Sequence, residues 1–271
     1  MAKPRVYKTE AIVLKRTNLG EADSIITLYT PNLGKIRAVA KGARRPKSKI
    51  GGHLDLLTQS ALLLAQGQNL DIITQSQTSA SFPLIRRDLW RTTCAIYVAE
   101  LVDQFTPEHV ENYPVYKLLQ TTLLRLCEAR NNELVLRYFE LQLISHVGFQ
   151  PELYQCIACK LPLAQERNFF SASGGGMLCP KCISKESLVR PVSVEALKVM
   201  RFFLTTDHIS ASRLRISPDL SLELEQLMRE YMRYLLEREV KSVGLLDRIR
   251  GEADPTDLNA DRSSYFSRST T

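Results

Sequence analysis

The first 80 residues contain short apolar runs separated by turn residues. The runs VYKTEAIVLKR (6–16) and DSIITLYT (23–30) are rich in β-branched residues, and PNLG (31–34) forms a turn that leads into KIRAVAK. A second pair, SALLLA and LDIIT, flanks the turn-like QGQN at 66–69. Five short strands suit a small closed barrel, because closure leaves no exposed sheet edge. We therefore predict a five-stranded barrel over residues 1–80, with the oligonucleotide-binding (OB) fold as the leading candidate.

The apolar pattern changes at about residue 82, from a period of two to a period of about 3.6. Three runs have this period, at 82–105, 114–129 and 132–148, with Pro114 and Gly148 at positions typical of a helix start and a helix stop. Two further helices are predicted at about 193–206 and 218–240, the second opened by Ser217 and Pro218. The fold class is therefore α+β, with a helical domain in two parts, 81–150 and 190–250.

Four cysteines interrupt the helical pattern in a segment that we place at 151–189. Cys156 and Cys159 are separated by two residues, nineteen residues follow, and Cys179 and Cys182 repeat the same short gap. This spacing is typical of a four-thiolate zinc ribbon, since each short gap lets one turn aim two sulfurs at the same ion. Disulfides and an iron–sulfur cluster are the alternatives, and disulfides are disfavoured in the cytosol.

The cysteine cluster predicts structural zinc, because four thiolates leave no open position for a reactive water. A zinc nucleobase deaminase would need His-x-Glu and Pro-Cys-x-x-Cys, but His53 and His146 are not followed by that Glu, and Leu178 precedes Cys179. No phosphate-binding G-x-x-x-x-G-K-[ST] loop is present either. We therefore expect a protein that is not an enzyme. The remaining cysteines, Cys94 and Cys127, lie in helix-patterned runs and are interpreted as buried, inert thiols.

Charge is distributed unevenly along the chain. Residues 1–80 contain 12 Lys and Arg against 5 Asp and Glu, whereas residues 81–271 contain 24 of each. Such a basic segment is typical of a protein that meets nucleic acid or an acidic membrane surface. The chain shows neither an apolar signal core in MAKPRVYKTE nor the ~18-residue apolar run of a membrane span, so we expect a cytoplasmic protein with no membrane partner.

The basic residues of this segment concentrate on the third predicted strand and the stretch after it. Alternation places Ile36, Ala38 and Ala40 on one face of the strand and the cations on the other. The stretch KGARRPKSK (41–49) continues the strip, and we expect 42–52 to be a mobile loop. The predicted phosphate-binding track consists of Lys35, Arg37, Lys41, Arg44, Arg45, Lys47 and Lys49. Tyr7 and Tyr29, the aromatic residues of 1–80 on strands, are as well explained by core packing as by base stacking.

These motifs together resemble the bacterial RecO family of DNA repair and recombination mediators. The resemblance rests on the line from Tyr7 to Lys49, in particular GEAD (20–23), the T-x-x-x-G turn (30–34) and AKGARR-x-x-S (40–48), and on GFQPELYQCIACK (148–160) with the second CxxC. It covers residues 5–240. The polar stretch 251–271 lies outside the resemblance, and its composition predicts disorder.

The resemblance implies an N-terminal OB barrel, a helical domain and an inserted zinc element, with one structural Zn²⁺ held by the four cysteines of this chain. It implies binding of single- and double-stranded DNA, annealing of complementary strands, and loading of recombinase onto DNA coated with single-stranded DNA-binding protein. It also implies two protein partners, RecR and the acidic, apolar C-terminal tail of the single-stranded DNA-binding protein, and a nucleoid-associated location. Since no nucleotide-binding motif is visible, annealing should not need ATP.

The residues alone leave other functions open. A zinc-dependent protein adaptor or transcription-associated factor would use the ribbon and helices to bind protein, and the basic loop would be incidental. A metal-dependent hydrolase of DNA is a more distant alternative. For the tail of the single-stranded DNA-binding protein we expect a hydrophobic groove in the helical domain with a nearby cation, and Arg125, Arg130 and Arg137 are weak candidates.

Overall fold

A computed structural model describes residues 6–129, 131–185 and 188–251 of the chain. The predicted tail lies almost entirely outside these residues. The N-terminal part is a closed barrel in which the strands neighbour one another in the order β1-β2-β3-β5-β4. Its strands are β1 (Val6–Leu19), β2 (Asp23–Thr30), β3 (Gly34–Ala40), β4 (Gln59–Ala65) and β5 (Asp71–Ala80). The predicted five-stranded barrel is thus confirmed, and the N-terminal domain has the OB fold.

Alternation along the strands fills the barrel with small and branched side chains. Ile36, Ala38 and Ala40 all point inward and are at most 2% exposed, as the pattern predicted. The ladder is antiparallel except where β3 meets β5, at Ala38↔Asp71 and Val39↔Ile72, and this parallel contact closes the barrel. β1 carries a register irregularity between Val13 and Lys15, which is typical of a strand that bends around a barrel.

Eight helices are assigned within the described part of the chain, three more than the five predicted. Two of the additional helices are short, and the third, Lys241–Arg250, begins after residue 240, where the last predicted helix ends. The helices are α1 (Pro83–Arg86), α2 (Leu89–Phe105), α3 (Tyr113–Glu128), α4 (Asn132–His146), α5 (Val194–Thr205), α6 (His208–Ser212), α7 (Pro218–Leu236) and α8 (Lys241–Arg250).

Side-chain caps explain where the helices begin. Asp88 accepts a hydrogen bond from the backbone N–H of Arg91, so α2 starts anew instead of continuing from α1. Ser217 caps α7 in the same way, with Pro218 in the first turn, as predicted. At the other end of α7, Glu237 adopts a left-handed conformation with φ of 54°, which ends the helix and separates α8 from it.

A small sheet surrounds the cysteine segment. Its strands β6 (Asn168–Ser171), β7 (Gly176–Leu178) and β8 (Arg190–Val192) are ordered β7-β6-β8. The sheet packs on the helices through Phe170, whose ring meets that of Tyr231 edge-on at 5.1 Å between centroids. The cysteine element is therefore joined to the helical core instead of standing apart from it.

The outer face of the barrel packs on the helices in one apolar cluster, which is separate from the core inside the barrel. Ile12, Leu14 and Tyr29 face outward from the barrel and are buried together with residues of α2 and α3. At the edge of this junction Gly34, with φ of 62°, lies so close to the carbonyl oxygen of Val110 that an added Cβ would overlap it. A search of the described residues finds no helix with the length and apolar character of a membrane span.

Candidate nucleic-acid interface and metal centre

The cations on strand β3 are paired with acidic residues of the helical domain. Lys35 is 9% exposed, and its ammonium group contacts the backbone carbonyl of Asp103 and lies 3.1 Å from Oδ1 of that residue. Nε of Arg37 lies 2.7 Å from Oε1 of Glu108. Both side chains lie on the outer face of β3, as alternation predicted. The end of α2 buries Lys35, whereas Arg37 stays exposed and pairs with a residue that follows α2. These two cations therefore join the barrel to the helices instead of lining an open track.

The other cations of the predicted track remain together on the loop after β3. All of them are exposed, and they occupy one short stretch of chain: Lys41, Arg44, Arg45, Lys47 and Lys49. Four of these side chains make no hydrogen bond or ion pair with any residue in the described part of the protein: Lys41, Arg45, Lys47 and Lys49. A surface of this kind attracts a polyanion, because neighbouring like charges reinforce one another's field. We call this stretch, residues 41–49, the cationic loop.

The cationic loop is a series of turns held against the barrel. The backbone N–H of Gly42 donates to Oδ1 of Asp23 at 2.7 Å, and the N–H of Arg44 donates to the carbonyl of Ala22 at 2.9 Å. Nη1 of Arg44 donates to the carbonyl of Gly20 at 3.0 Å. Ala43 is buried in the barrel core. These contacts attach the loop to the β1–β2 turn, at the start of the segment 42–52 that the sequence predicts to be mobile.

Arg16 is a further cation of this region, and the sequence analysis did not single it out. Its Nη2 lies 3.4 Å from the carbonyl oxygen of Ala43, and its Nε lies 3.3 Å from Oγ of Ser24. Nη1 lies 3.6 Å from a carboxylate oxygen of Asp55. Through these contacts Arg16 links the cationic loop, at Ala43, to Ser24 of β2 and to Asp55. The basic pair Lys15 and Arg16 within a strand gives no sequence signal for such a role.

The aromatic residues of the barrel do not form a stacking platform. Tyr29 is fully buried, and burial raises the pKa of its phenol to about 12. The hydroxyl of Tyr7 donates to a carboxylate oxygen of Asp71, and burial together with that carboxylate raises the pKa of Tyr7 as well. Backbone phosphates are thus a better match to this surface than bases are.

The four predicted cysteines come together at one point. Their sulfur atoms all lie within 4.8 Å of one another, and the sulfurs of Cys159 and Cys179 are 3.9 Å apart. Sulfurs bound to tetrahedral zinc at about 2.3 Å would be about 3.8 Å from each other. The arrangement can hold one metal ion: Cys156, Cys159, Cys179 and Cys182.

Tight turns create this convergence and favour thiolate. The N–H of Lys160 donates to the carbonyl of Cys156 at 2.8 Å, which closes the first turn, and the N–H of Cys182 donates to that of Cys179 at 3.0 Å. Burial opposes ionisation of Cys156, but nearby backbone N–H groups outweigh it and lower the pKa of this thiol to about 6. Burial and the neighbouring thiols raise the pKa of Cys182 to about 12. Ionisation of Cys182 beside the thiolate of Cys156 therefore requires a cation that neutralises the second negative charge.

The glycine triplet before the second cysteine pair permits close packing. A Cβ at Gly176 would lie 2.7 Å from Cγ2 of Ile157 and 2.8 Å from the carbonyl oxygen of Glu152. The triplet sits at the tip of the β6–β7 hairpin. These glycines therefore bring the two cysteine pairs together.

A cavity of about 1210 Å³ lies between α3, α4 and α6. Its wall consists of apolar side chains and cations. Glu128 is the single acidic residue among the described residues that line it. Of the cations suggested by sequence for partner binding, Arg125 lines this cavity, whereas Arg130 lies outside the described residues. Arg137 is 3% exposed and lies 2.6 Å from Glu140, so it belongs to the core instead. The cavity cations are Lys117, Arg125, Arg213 and Arg215.

The chain matches two family models along most of its length. Residues 1–82 match the model described as Recombination protein O N terminal, and residues 86–243 match the model described as Recombination protein O C terminal. The chain belongs to the RecO family. This membership implies a role in DNA repair and recombination.

Individual relatives agree with the family models. The DNA repair protein RecO of Roseiflexus sp. (strain RS-1) is 40% identical over 99% of this chain and 96% of its own length. The DNA repair protein RecO of Dehalococcoides mccartyi (strain CBDB1) is 41% identical over 92% of the chain and 98% of its own length. The DNA repair protein RecO of Desulforamulus reducens is 34% identical over 90% of this chain and 95% of its own length. The similarity thus includes the barrel, the helices and the cysteine element.

Proposed function

We propose that the chain is a recombination mediator that binds single- and double-stranded DNA through backbone phosphates. One observation carries this proposal: five exposed cations lie on one stretch of nine residues, and four of them have no partner among the described residues. Contacts to phosphate do not occupy the pairing edges of the bases. Two strands held in this way remain free to pair, so the same surface supports annealing of complementary strands.

Two ion pairs support a shorter phosphate track than the one predicted from sequence. Lys35 and Arg37 already have acidic partners, so we assign them to the junction between the barrel and the helices. Arg44 is exposed and also donates a hydrogen bond to the carbonyl oxygen of Gly20. We assign it both to the phosphate track and to the contacts that hold the loop against the barrel. The proposed DNA-contacting residues are therefore Lys41, Arg44, Arg45, Lys47 and Lys49.

The chain acts as a binding protein in this proposal, without ATP and without chemistry of its own. Annealing is driven by base pairing once the mutual repulsion of two polyanions has been neutralised. The cysteine cluster would hold a structural Zn²⁺, since four thiolates satisfy its coordination and leave no position for a substrate. Such an ion would fix the two turns and the small sheet. The protein would work in the cytoplasm, at the nucleoid.

The cavity between α3, α4 and α6 is the proposed site for the tail of the single-stranded DNA-binding protein. An acidic, apolar peptide complements a wall that is apolar and carries an excess of cations over acids. By holding that tail and the DNA at once, the chain would help to load recombinase on coated strands together with RecR. The family resemblance supports the choice of these partners.

A strand-annealing measurement tests the proposal. Two complementary oligonucleotides, one carrying a fluorophore and the other a quencher, are mixed with purified protein in the absence of nucleotide. We expect wild-type protein to accelerate pairing and the double variant Arg45→Glu/Lys47→Glu to lose most of this acceleration. The matched control Lys198→Glu/Arg238→Glu makes the same charge change at exposed helical-domain positions and should anneal like wild type. Equal annealing by both double variants would refute the proposed interface.

A further inference from the structure

The cationic loop is attached to the barrel by an acidic residue, although the loop itself is proposed to bind an acidic polymer. Asp23 is the first residue of β2, and its Oδ1 accepts the hydrogen bond from the N–H of Gly42 at 2.7 Å. Next to it, the carbonyl oxygens of Ala22 and Gly20 accept from the backbone and the guanidinium of Arg44. The turn GEAD and the stretch KGARR are therefore two halves of one hydrogen-bonded unit.

We infer that Asp23 is a positioning residue for DNA binding, which acts by holding the cationic loop against the β1–β2 turn. This inference rests on the proposed function of the loop. The last ladder pair between β2 and β3 is Ser24↔Ala40, so the chain leaves the sheet at Lys41. The Asp23–Gly42 hydrogen bond comes directly after this point and sets the path of the loop as it leaves the barrel.

The position of Asp23 makes its role distinguishable from that of an ordinary surface charge. In a purely electrostatic account, any acid beside the loop weakens the attraction for phosphate, so removing it strengthens DNA binding. In the positioning account, removing the carboxylate oxygen frees the loop. The entropy of reordering four or five cations on binding then weakens DNA binding. The two accounts predict opposite signs for the same substitution.

Glu21 provides a matched control in the same turn. It is exposed, has the same charge, and makes no hydrogen bond or ion pair with the part of the chain that the structure describes. Glu21→Ala should therefore leave the affinity for DNA equal to that of wild type or raise it slightly. Asp23→Asn is a second control, because its side-chain oxygen can still accept from Gly42 after the charge has been removed.

The experiment measures the affinity of the full-length protein for a fluorescent single-stranded oligonucleotide of mixed sequence. We expect Asp23→Ala to bind about threefold to tenfold more weakly than wild type, and Asp23→Asn and Glu21→Ala to bind at least as tightly as wild type. Equal or tighter binding by Asp23→Ala would overturn the inference. Equal weakening by Asp23→Asn and Asp23→Ala would also overturn it, since a side-chain oxygen that can accept from Gly42 would then not preserve DNA binding.

Tryptic cleavage within the loop provides a readout that does not depend on DNA. The segment contains five basic residues, and its rate of cleavage follows local opening. Asp23→Ala should be cut faster within 41–49 than wild type, whereas Asp23→Asn and Glu21→Ala should be cut at the wild-type rate. An unchanged rate in Asp23→Ala would show that the loop does not depend on this carboxylate, and would refute the inference.

The double variant Arg45→Glu/Lys47→Glu separates this inference from the proposed function. If that variant weakens DNA binding and Asp23→Ala does not, the loop binds DNA but the positioning role is wrong. If neither variant weakens binding, the proposed interface fails, and the inference fails with it. Circular dichroism of Asp23→Ala establishes whether the barrel is folded. If it is not, Asp23→Leu, which keeps a side chain of similar size but has no acceptor oxygen, takes its place in both measurements.

Discussion

The ammonium nitrogen of Lys35 lies 3.1 Å from a carboxylate oxygen of Asp103, across the junction between the barrel and the helices. Because of this pair we interpret Lys35 as a structural residue, although its charge and its position on β3 are those expected of a DNA contact. Lys35 is 9% exposed, so a phosphate could not reach it without displacing Asp103. The basic strip that begins on β3 thus divides into two cations paired with acids, Lys35 and Arg37, and the exposed cations of the cationic loop.

Substitution of Lys35 should therefore affect stability and not DNA binding. Lys35→Met leaves Asp103 without its partner, and we expect a loss of about 1–3 kcal/mol in the free energy of unfolding. The affinity of the folded protein for DNA should change by less than about twofold. Chemical denaturation and oligonucleotide titration measure the two quantities. A large loss of affinity with unchanged stability would return Lys35 to the phosphate track.

Metal removal should affect the cysteine element and spare the barrel. Cys159→Ser should abolish stoichiometric zinc binding and make trypsin cut within 151–189, because the turns lose the ion that joins them. DNA affinity of the remaining folded barrel should stay near that of wild type. Cys127→Ser, at a cysteine outside the cluster, is the control and should retain the metal. Elemental analysis decides the point, and full metal content in Cys159→Ser would contradict the assignment.

Arg137 belongs to a buried ionic network, and its loss should destabilise the helical domain. Burial raises the pKa of Glu140 to about 7, while Arg137 at 2.6 Å and the hydroxyl of Tyr97 favour the charged form. Arg137→Met removes the main counter-charge, at a cost of about 3–5 kcal/mol when Glu140 is ionised. Arg233→Met, which breaks an exposed pair with Glu239, should cost at most about 1 kcal/mol.

The loss in Arg137→Met should depend on pH in a defined direction. The folded-state pKa of Glu140 lies above its ordinary value of 4.5, so the folded state holds this proton more tightly than the unfolded state. Stability therefore falls as pH rises from about 4.5 to about 7. Without Arg137 the pKa rises further, and the fall continues to higher pH. Urea denaturation at several pH values measures this, and a loss equal at all pH values would contradict it.

Binding of an acidic peptide to the cavity should take up a proton at His208. Burial lowers the pKa of His208, and the nearby Arg125 and Lys117 lower it further, against an opposing effect of Asp207. An anionic peptide among these cations reverses their effect and raises that pKa. Affinity should therefore increase as pH falls through the raised pKa of His208 in the complex towards its lower pKa in the free protein.

Two variants test the cavity directly with a fluorescent acidic peptide that has an apolar C-terminal end. Arg125→Ala should weaken binding about tenfold, since a charged hydrogen-bond donor is lost. His208→Gln should bind the peptide with an affinity that depends less on pH than that of wild type, the remaining dependence coming from His146 in the same cavity. If both variants bind like wild type at every pH, the peptide does not occupy this cavity.

The elements of the fold that local patterns control were predictable from the sequence. Alternation identified the inward-facing Ile36, Ala38 and Ala40, and the short CxxC gaps predicted a cysteine cluster that the geometry confirms. Ser217 with Pro218 marked the start of α7 because a cap acts within a few residues. Each of these features depends on neighbours in the chain.

The features that sequence missed depend on distant parts of the chain. Strand alternation places Lys35 and Arg37 on the outer face of β3, but it does not show that Asp103 and Glu108 pair with them. Nor does the composition of the cationic loop show that Asp23 accepts the N–H of Gly42 across nineteen residues of chain. The break between α7 and α8 arises at Glu237, a residue type that gives no sign of a left-handed conformation.

The salt dependence of DNA affinity tests the central claim most directly, because each phosphate contact contributes about 0.9 to the log–log slope for duplex DNA. Neutralising the four unpaired cations of the loop, Lys41, Arg45, Lys47 and Lys49, to Gln should make the slope shallower by about three units or slightly more. The control Lys198→Gln/Arg238→Gln should keep the wild-type slope. A quadruple variant with the affinity and the slope of wild type would show that the cationic loop does not hold the DNA backbone.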